Sequence, residues 1–246
     1  MPKTSGLGDN FYVGSYNLSG DINALGTIGG SVGTLDVTSI QSYGYERIGG
    51  LRTGTLEFTS LFNKDAGQEH VALSALPYTD VIMTYCRGTT LGSPAASMTS
   101  KQINYDPSRG DDGSMTFSVS AQANGYGLEW GQLLTAGIRT DTAATNGSSI
   151  DTTASKSFGG QAYLHVTDFT GTDVTIKIQD SADNSNWTDV TGFTFGSITS
   201  TTSARIQLGS TATVRRYLRV ITTTTGGFTS VSFAVNVVKN TATVAF

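Results

Sequence analysis

Residues 43–88, YGYERIGGLRTGTLEFTSLFNKDAGQEHVALSALPYTDVIMTYCRG, change hydrophobic period twice within one compact run. From Thr55 to Phe62 the period is two, with Leu56, Phe58 and Phe62 on one face and Thr55, Glu57 and Thr59 on the other, as in a half-buried strand. From Asp65 the period lengthens. Asp65 is an N-cap residue, Gln68 completes a capping box, and Val71, Ala72, Leu73, Ala75 and Leu76 supply an apolar stripe that Pro77 ends. The next run, Asp80 to Cys86, is apolar on both faces, as a strand covered by that helix on one side and by a second sheet on the other would be. Strand, short helix and strand together predict the core of a first β domain.

The phrasing YERIGGLRTGTLEFTSLFN, then a short helix, then LSALPYTDVIMTYCRG resembles the tail tube (major tail) proteins of long-tailed, siphovirus-type bacteriophages, over about residues 10–135. The resemblance implies a β-sandwich with one flanking helix that forms rings, hexameric in that family, which stack into a tube. It also implies contacts with a tape-measure protein, a tail terminator and distal tail proteins, DNA that passes through without specific binding, and residence in the virion tail after assembly in the host cytoplasm.

Composition narrows the function classes. Threonine is the commonest of the 246 residues, glycine is second with 30, and charged residues make up 14%, which is the profile of an all-β chain with many turns. Up to residue 139 there are eight Lys and Arg against twelve Asp and Glu, and after it seven against seven. The formal charge of −4 therefore sits in the first part, the wrong sign for a surface that grips phosphates. Cys86, the single cysteine, lies in the most apolar strand and reads as a small buried hydrophobe. The first residues, MPKTSGLGDNFYVG, carry no apolar leader, and no window has the length of a membrane span.

Taken in order, residues 1–10 read as a flexible arm, Phe11 to Leu18 as a strand with a bulge at Gly14, Asp21 to Gly33 as a loop, and Thr34 to Ile40 as a weak strand. Ser42 to Gly54 reads as a projecting hairpin whose Tyr43, Tyr45, Arg47 and Arg52 are candidate contacts between subunits or rings. The competing reading has Tyr43 and Tyr45 covering the edge of the core. Glu57 points away from Leu56 and Phe58, and so faces the lumen of a tube, solvent or a neighbouring subunit. Gly88 to Pro107 reads as a long loop with an edge strand at Lys101–Tyr105, Ser108 to Gly113 as a turn, and Ser114 to Ala123 as a clean strand. Tyr126 to Trp130 has strand spacing, and Gln132 to Ile138 looks helical.

Thr140 to Ser157 has few large apolar groups and reads as a linker. The expected organisation is a tail-tube-like domain over 1–140, a Thr/Ser-rich linker over 141–157 and a second β-sandwich, immunoglobulin-like or lectin-like, over 158–246. That last part alternates cleanly at Val174–Ile178, Leu218–Val220 and Val231–Val237.

No catalytic constellation emerges. Asp180 to Asp189 is rich in oxygen ligands but lacks the Gly and Glu of an EF-hand loop, so it reads as an Asx-rich turn, with Trp187 packing a domain edge or stacking on a sugar. His70 and His165 are too far apart in sequence, with one cysteine between them, to suggest zinc. Arg109-Gly110-Asp111 is a short motif inside a turn, and Thr222 to Gly227 lacks the Lys of a phosphate loop. The expectation is an all-β structural protein with one short helix, not an enzyme, needing no cofactor or metal, whose partner is itself. The alternative is a virion surface decoration or a secreted carbohydrate-binding adhesin acting through the second domain.

Overall fold

The structure, a computed structural model, describes residues 5–244, so the expected flexible arm lies partly outside the described residues. The end of that arm is tied down: the Asp9 carboxylate accepts the Tyr85 hydroxyl and, at 2.9 Å, the Gly88 backbone N–H. Next come β1 (Asn10–Val13) and β2 (Tyr16–Asn17), a small hairpin instead of one bulged strand. Gly14 turns it with a φ of 56°, which glycine adopts without a Cβ penalty.

A long hairpin follows, β3 (Ile22–Asp36) and β4 (Arg47–Leu61), where a loop and a weak strand were expected over 21–40. Leu56 and Phe58 of β4 are buried as their spacing predicts, whereas Phe62 lies beyond the strand and remains partly exposed. The helix α1 (Glu69–Leu73) starts three residues later than the Asp65 capping box implies. Gln68 is its N-cap and makes no side-chain cap bond; a carboxylate from another element, Asp21, accepts the Glu69 N–H instead.

Strand β5 (Val81–Cys86) is buried on both faces. Met83 and Tyr85 pack with Leu73 of α1, while Cys86 and Ile82 pack against the C-terminal part of the chain. Then come β6 (Pro94–Gln102), β7 (Asp106–Arg109), β8 (Met115–Ala123) and β9 (Glu129–Leu133). The first of these replaces the expected long loop. Its Ala95, Ala96, Ser97 and Ser100 are buried, and such small residues let neighbouring layers approach without producing an apolar signal in sequence. Past Leu133 the chain turns rather than forming a helix, and Leu133 and Leu134 enter different core clusters.

The expected linker is also structured. β10 (Arg139–Asp141) and β11 (Asn146–Asp151) pair with strands from the end of the chain, and Ile150 is buried in the second core. The remaining strands are β12 (Gly160–Gly171), β13 (Val174–Ser181), β14 (Thr188–Ile198), β15 (Thr202–Gln207), β16 (Tyr217–Thr223) and β17 (Phe228–Lys239).

The chain is all-β with one short helix. A large antiparallel sheet runs β15-β12-β17-β9-β6-β5-β1-β2 and branches through β8 to β4, β3 and β7, and a four-stranded sheet is ordered β11-β16-β13-β14. The large sheet folds back on itself to enclose a first core of Phe11, Leu56, Phe58, Met83, Met98 and Val119. Its β12 and β17 end faces the four-stranded sheet across a second core that includes Leu164, Ile176, Phe193, Val220 and Phe233. Each large apolar side chain so buried contributes roughly 1.5–3 kcal/mol. The two lobes share one sheet, because β17 pairs with β9 at Asn236↔Leu133 and Val237↔Gln132. No helix among the described residues is long and apolar enough to cross a membrane.

Candidate assembly surfaces

Among the described residues β3 pairs only with β4, so its outer edge presents backbone N–H and C=O groups without a strand partner there over most of 15 residues. From Ile22 to Leu35 there is no charged residue and no proline. Natural edge strands are usually guarded by charge, proline or shortness, because a bare edge is a template for another strand. The opposite margin of the same branch, β7, is guarded: it has four residues, among them Asp106, Pro107 and Arg109. Beside the start of β3 lies a groove of about 410 Å³ whose lining includes Leu7, Phe11, Ile22 and Leu25, an apolar floor next to the open edge.

Beyond the Gly30↔Gly54 pair the β3–β4 hairpin leaves the body of the protein. Gly54 is obligatory where the ribbon departs, since a Cβ there would come within 2.6 Å of the Leu128 nitrogen. Leu35 and Ile48 stand directly opposite each other and are more than half exposed, and Val32, Val37, Ile40 and Leu51 are exposed as well. A two-stranded ribbon of this kind is marginal in water unless something covers it.

The structure places Tyr43 and Tyr45 in the turn of this ribbon, 108% and 76% exposed, so neither covers the edge of the core. Arg47 opens β4 with its guanidinium carbon 4.7 Å from the centre of the Tyr45 ring. Arg52 sits nearer the body, opposite Val32, and helps line a shallow groove with Leu128 and Trp130. The first three residues therefore share the tip, and Arg52 belongs to the stem.

Glu57 is exposed on the face of β4 opposite Leu56 and Phe58, across from Ser120 of β8. Around it on that face are Thr55, Thr59, Ser118 and Gln122, which form cross-strand pairs with one another. Alternation puts hydroxyls, the Gln122 amide and one carboxylate there, and Lys101 of β6, the cross-strand partner of Gln122, joins the same face, where it pairs with Asp80 at 2.8 Å. The negative surplus of the first lobe is thus not gathered on this face.

The other constellations are structural. Asp183 accepts the backbone N–H groups of Ser185 and Asn186 and the side-chain amide of Asn186, bonds that hold its carboxyl well below the usual range and spend its oxygens within the turn. Asp173 likewise accepts the Gly226 and Thr225 backbone N–H groups and orders the Thr222–Gly227 turn. Trp187 packs against Arg219, whose guanidinium carbon is 4.3 Å from its ring centre. Cys86 is fully buried, and burial pushes its thiol up to about 12. His70 bonds the Tyr105 hydroxyl on one side of the protein, and His165 lies between the lobes. Among the described residues no group of His, Cys, Asp and Glu side chains is placed to hold a metal.

No family model matches the chain, and no curated protein matches it. Several solved structures align with it at low identity. The tail of an empty gene transfer agent particle, refined with helical C6 symmetry, aligns with 53% of this chain and 98% of its own at 15% identity and a TM-score of 0.39. The Dit protein of phage SPP1, described as a hub of the adsorption apparatus in phages infecting Gram-positive hosts, aligns with 94% of this chain and 99% of its own at 11% identity and 0.34. The phage p2 baseplate in its activated, strontium-bound conformation aligns with 96% and 99% at 9% identity and 0.33. At such scores and identities the likeness assigns no role to any residue here.

Proposed function

We propose that the chain is a structural subunit of a phage tail that assembles with copies of itself into rings, and that the rings stack into a tube. The observation that carries this reading is the bare edge of β3, 15 residues long, without charge or proline from Ile22 to Leu35. A soluble monomer gains nothing from such an edge and risks aggregation through it. When the edge of one copy adds to a different edge of the next, the contact is head to tail, and head-to-tail contacts close into rings when the rotation between copies permits.

In this reading the ribbon tip, with Tyr43, Tyr45 and Arg47, reaches the adjacent ring and buries its apolar side chains there, while Arg52 contacts the neighbouring subunit at the stem. Six copies per ring, contacts with tape-measure, terminator and distal tail proteins, and passage of DNA follow from the sequence resemblance. Glu57 and the hydroxyls around it would line the lumen. The face is mostly neutral, and its one lysine, Lys101, is already paired with Asp80, so a passing duplex finds little free positive charge to hold it. The lobe formed by about residues 158–246 would sit on the outside.

Electron microscopy of the purified chain, together with light scattering, tests the proposal. Rings or tubes of regular width support it. A dispersed monomer at all concentrations would favour a decoration or adhesin role instead.

A further inference from the structure

Between the lobes runs a hydrogen-bond chain whose direction is fixed throughout. His165 on β12 is 1% exposed; its Nδ1 is 2.7 Å from the Gly14 carbonyl oxygen and its Nε2 is 2.7 Å from Thr84 Oγ1 on β5. Thr84 Oγ1 is 2.7 Å from Ser97 Oγ on β6, and Asn236 Nδ2 on β17 is 2.8 Å from the same Ser97 oxygen.

A carbonyl can only accept, so Nδ1 carries the imidazole proton, and the lone pair of Nε2 must receive the Thr84 hydroxyl. Thr84 has then used its single proton. Ser97 must therefore donate to Thr84, and Asn236 must donate to Ser97. The Asn236 amide is held in that orientation because Nδ2 also faces the Ala95 carbonyl at 3.5 Å. These five groups come from the β1–β2 turn and from β5, β6, β12 and β17, and so from both lobes.

We propose that this chain is a single-proton switch between the lobes, closed while His165 is neutral and opened when His165 takes up a proton. A protonated Nε2 must donate to Thr84. The Thr84 hydroxyl must then turn to Ser97, whose oxygen accepts from both Thr84 and Asn236, and the Ser97 proton loses its acceptor. One proton at one end thus leaves a buried hydroxyl donor unpaired at the other end, a costly arrangement away from water.

No nearby charge relieves this. The titratable group against His165 is Tyr12 of β1, with ring centres 5.5 Å apart, and Tyr12 in turn packs with Cys86 of β5, whose thiol is neutral; both are raised chiefly by burial. The nearest ion pair on that side is Glu129 of β9 with Arg205 of β15, gathered around Tyr163 two positions along β12, where the two charges satisfy each other. Burial accordingly pushes the imidazole of His165 down to about 4, against the smaller opposing effect of the Gly14 carbonyl.

The sign follows from linkage. The closed form has the lower pKa, so opening takes up one proton between an ordinary imidazole value of about 6.5 and the closed value, and the opening constant rises about tenfold per pH unit as pH falls through that window. Above it the joint is fully closed.

Hydrogen exchange on the full chain, corrected for the intrinsic pH dependence of exchange, combined with a ring-nitrogen NMR titration, tests the switch. The expected result is a Nδ1–H tautomer at pH 7 and seam amides around the Leu133↔Asn236 pair whose opening rises about tenfold per unit below pH 6.5. Amides inside the cores, such as those of Ile176 and Val119, should stay protected. His165→Gln, which keeps a neutral acceptor for Thr84, should flatten the seam response. A Nε2–H tautomer, a pH slope that survives in H165Q, or core amides opening together with the seam would each overturn the proposal. If H165Q yields no folded protein, the unmodified chain decides: ring protonation and seam opening must share one midpoint, and separate midpoints refute the switch.

Discussion

Asp21 caps the short helix from 48 positions upstream: one oxygen of its carboxylate accepts the Glu69 backbone N–H at 3.0 Å. The other oxygen accepts the Asn63 side-chain amide at 2.9 Å, and the Asp21 carbonyl accepts the Leu61 N–H at 2.8 Å. A single buried residue thereby joins the start of β3, the end of β4 and the helix. Asp21→Ala should cost about 2 kcal/mol, the sum of a lost cap and an unpaired buried amide. Urea unfolding measures this, and a change below about 0.5 kcal/mol would mean that the helix holds its own start.

Glu129 and Arg205 bind the two lobes on the same seam as His165. Their side chains are 2% and 7% exposed, 3.2 Å apart, and Glu129 also accepts the Tyr163 hydroxyl. Arg205→Met would leave a buried carboxylate without its counter-charge, a change that typically costs about 3–5 kcal/mol. Truncation after residue 145 removes Arg205, Tyr163 and β17 at once and bares the β9 edge. That fragment should be insoluble or unfolded, and a folded, monomeric fragment by circular dichroism would show that the first lobe stands alone.

Much of this architecture was legible because alternation survives wherever a strand has one buried and one open face. β4 near Leu56 and Phe58, β8, β13 and β17 all show it. The signal fails for identifiable reasons elsewhere. In β3, Gly26, Gly29, Gly30 and Gly33 have no side chains to mark a period, and its outer half packs against nothing. In β6 the buried residues are small because the layers are close. β11 offers Ile150 as its one large apolar group, amid serines and threonines. The helix start was misplaced because its cap comes from Asp21 and not from the local Asp65. The hairpin arginines and tyrosines stand out in the sequence, but the bare edge beside them is hidden in what reads as a loop. The partners of His165, 81 and 151 positions away, leave no local trace.

The ribbon beyond Gly30 and Gly54 should be dispensable for folding. Replacing residues 34–49 by an Asn-Gly turn removes Leu35, Tyr43, Tyr45 and Ile48, all exposed, and closes the strands with a two-residue hairpin loop. Stability should change by less than about 0.5 kcal/mol, as for surface changes generally. Rings should still form and should fail to stack. Tubes of normal length from this variant would remove the ribbon from the contact between rings.

Assembly through the bare edge of β3 is tested most directly by guarding that edge. Thr27 and Ser31 are exposed on that strand, so Thr27→Lys with Ser31→Lys adds two charges of the kind that natural edges use, without touching the core. Sedimentation velocity on the unmodified and doubly substituted chains reads the outcome. The unmodified chain should sediment as rings or longer assemblies, and the variant, with unchanged circular dichroism and melting temperature, should sediment as a monomer. Assemblies of the same size from both would contradict assembly through that edge.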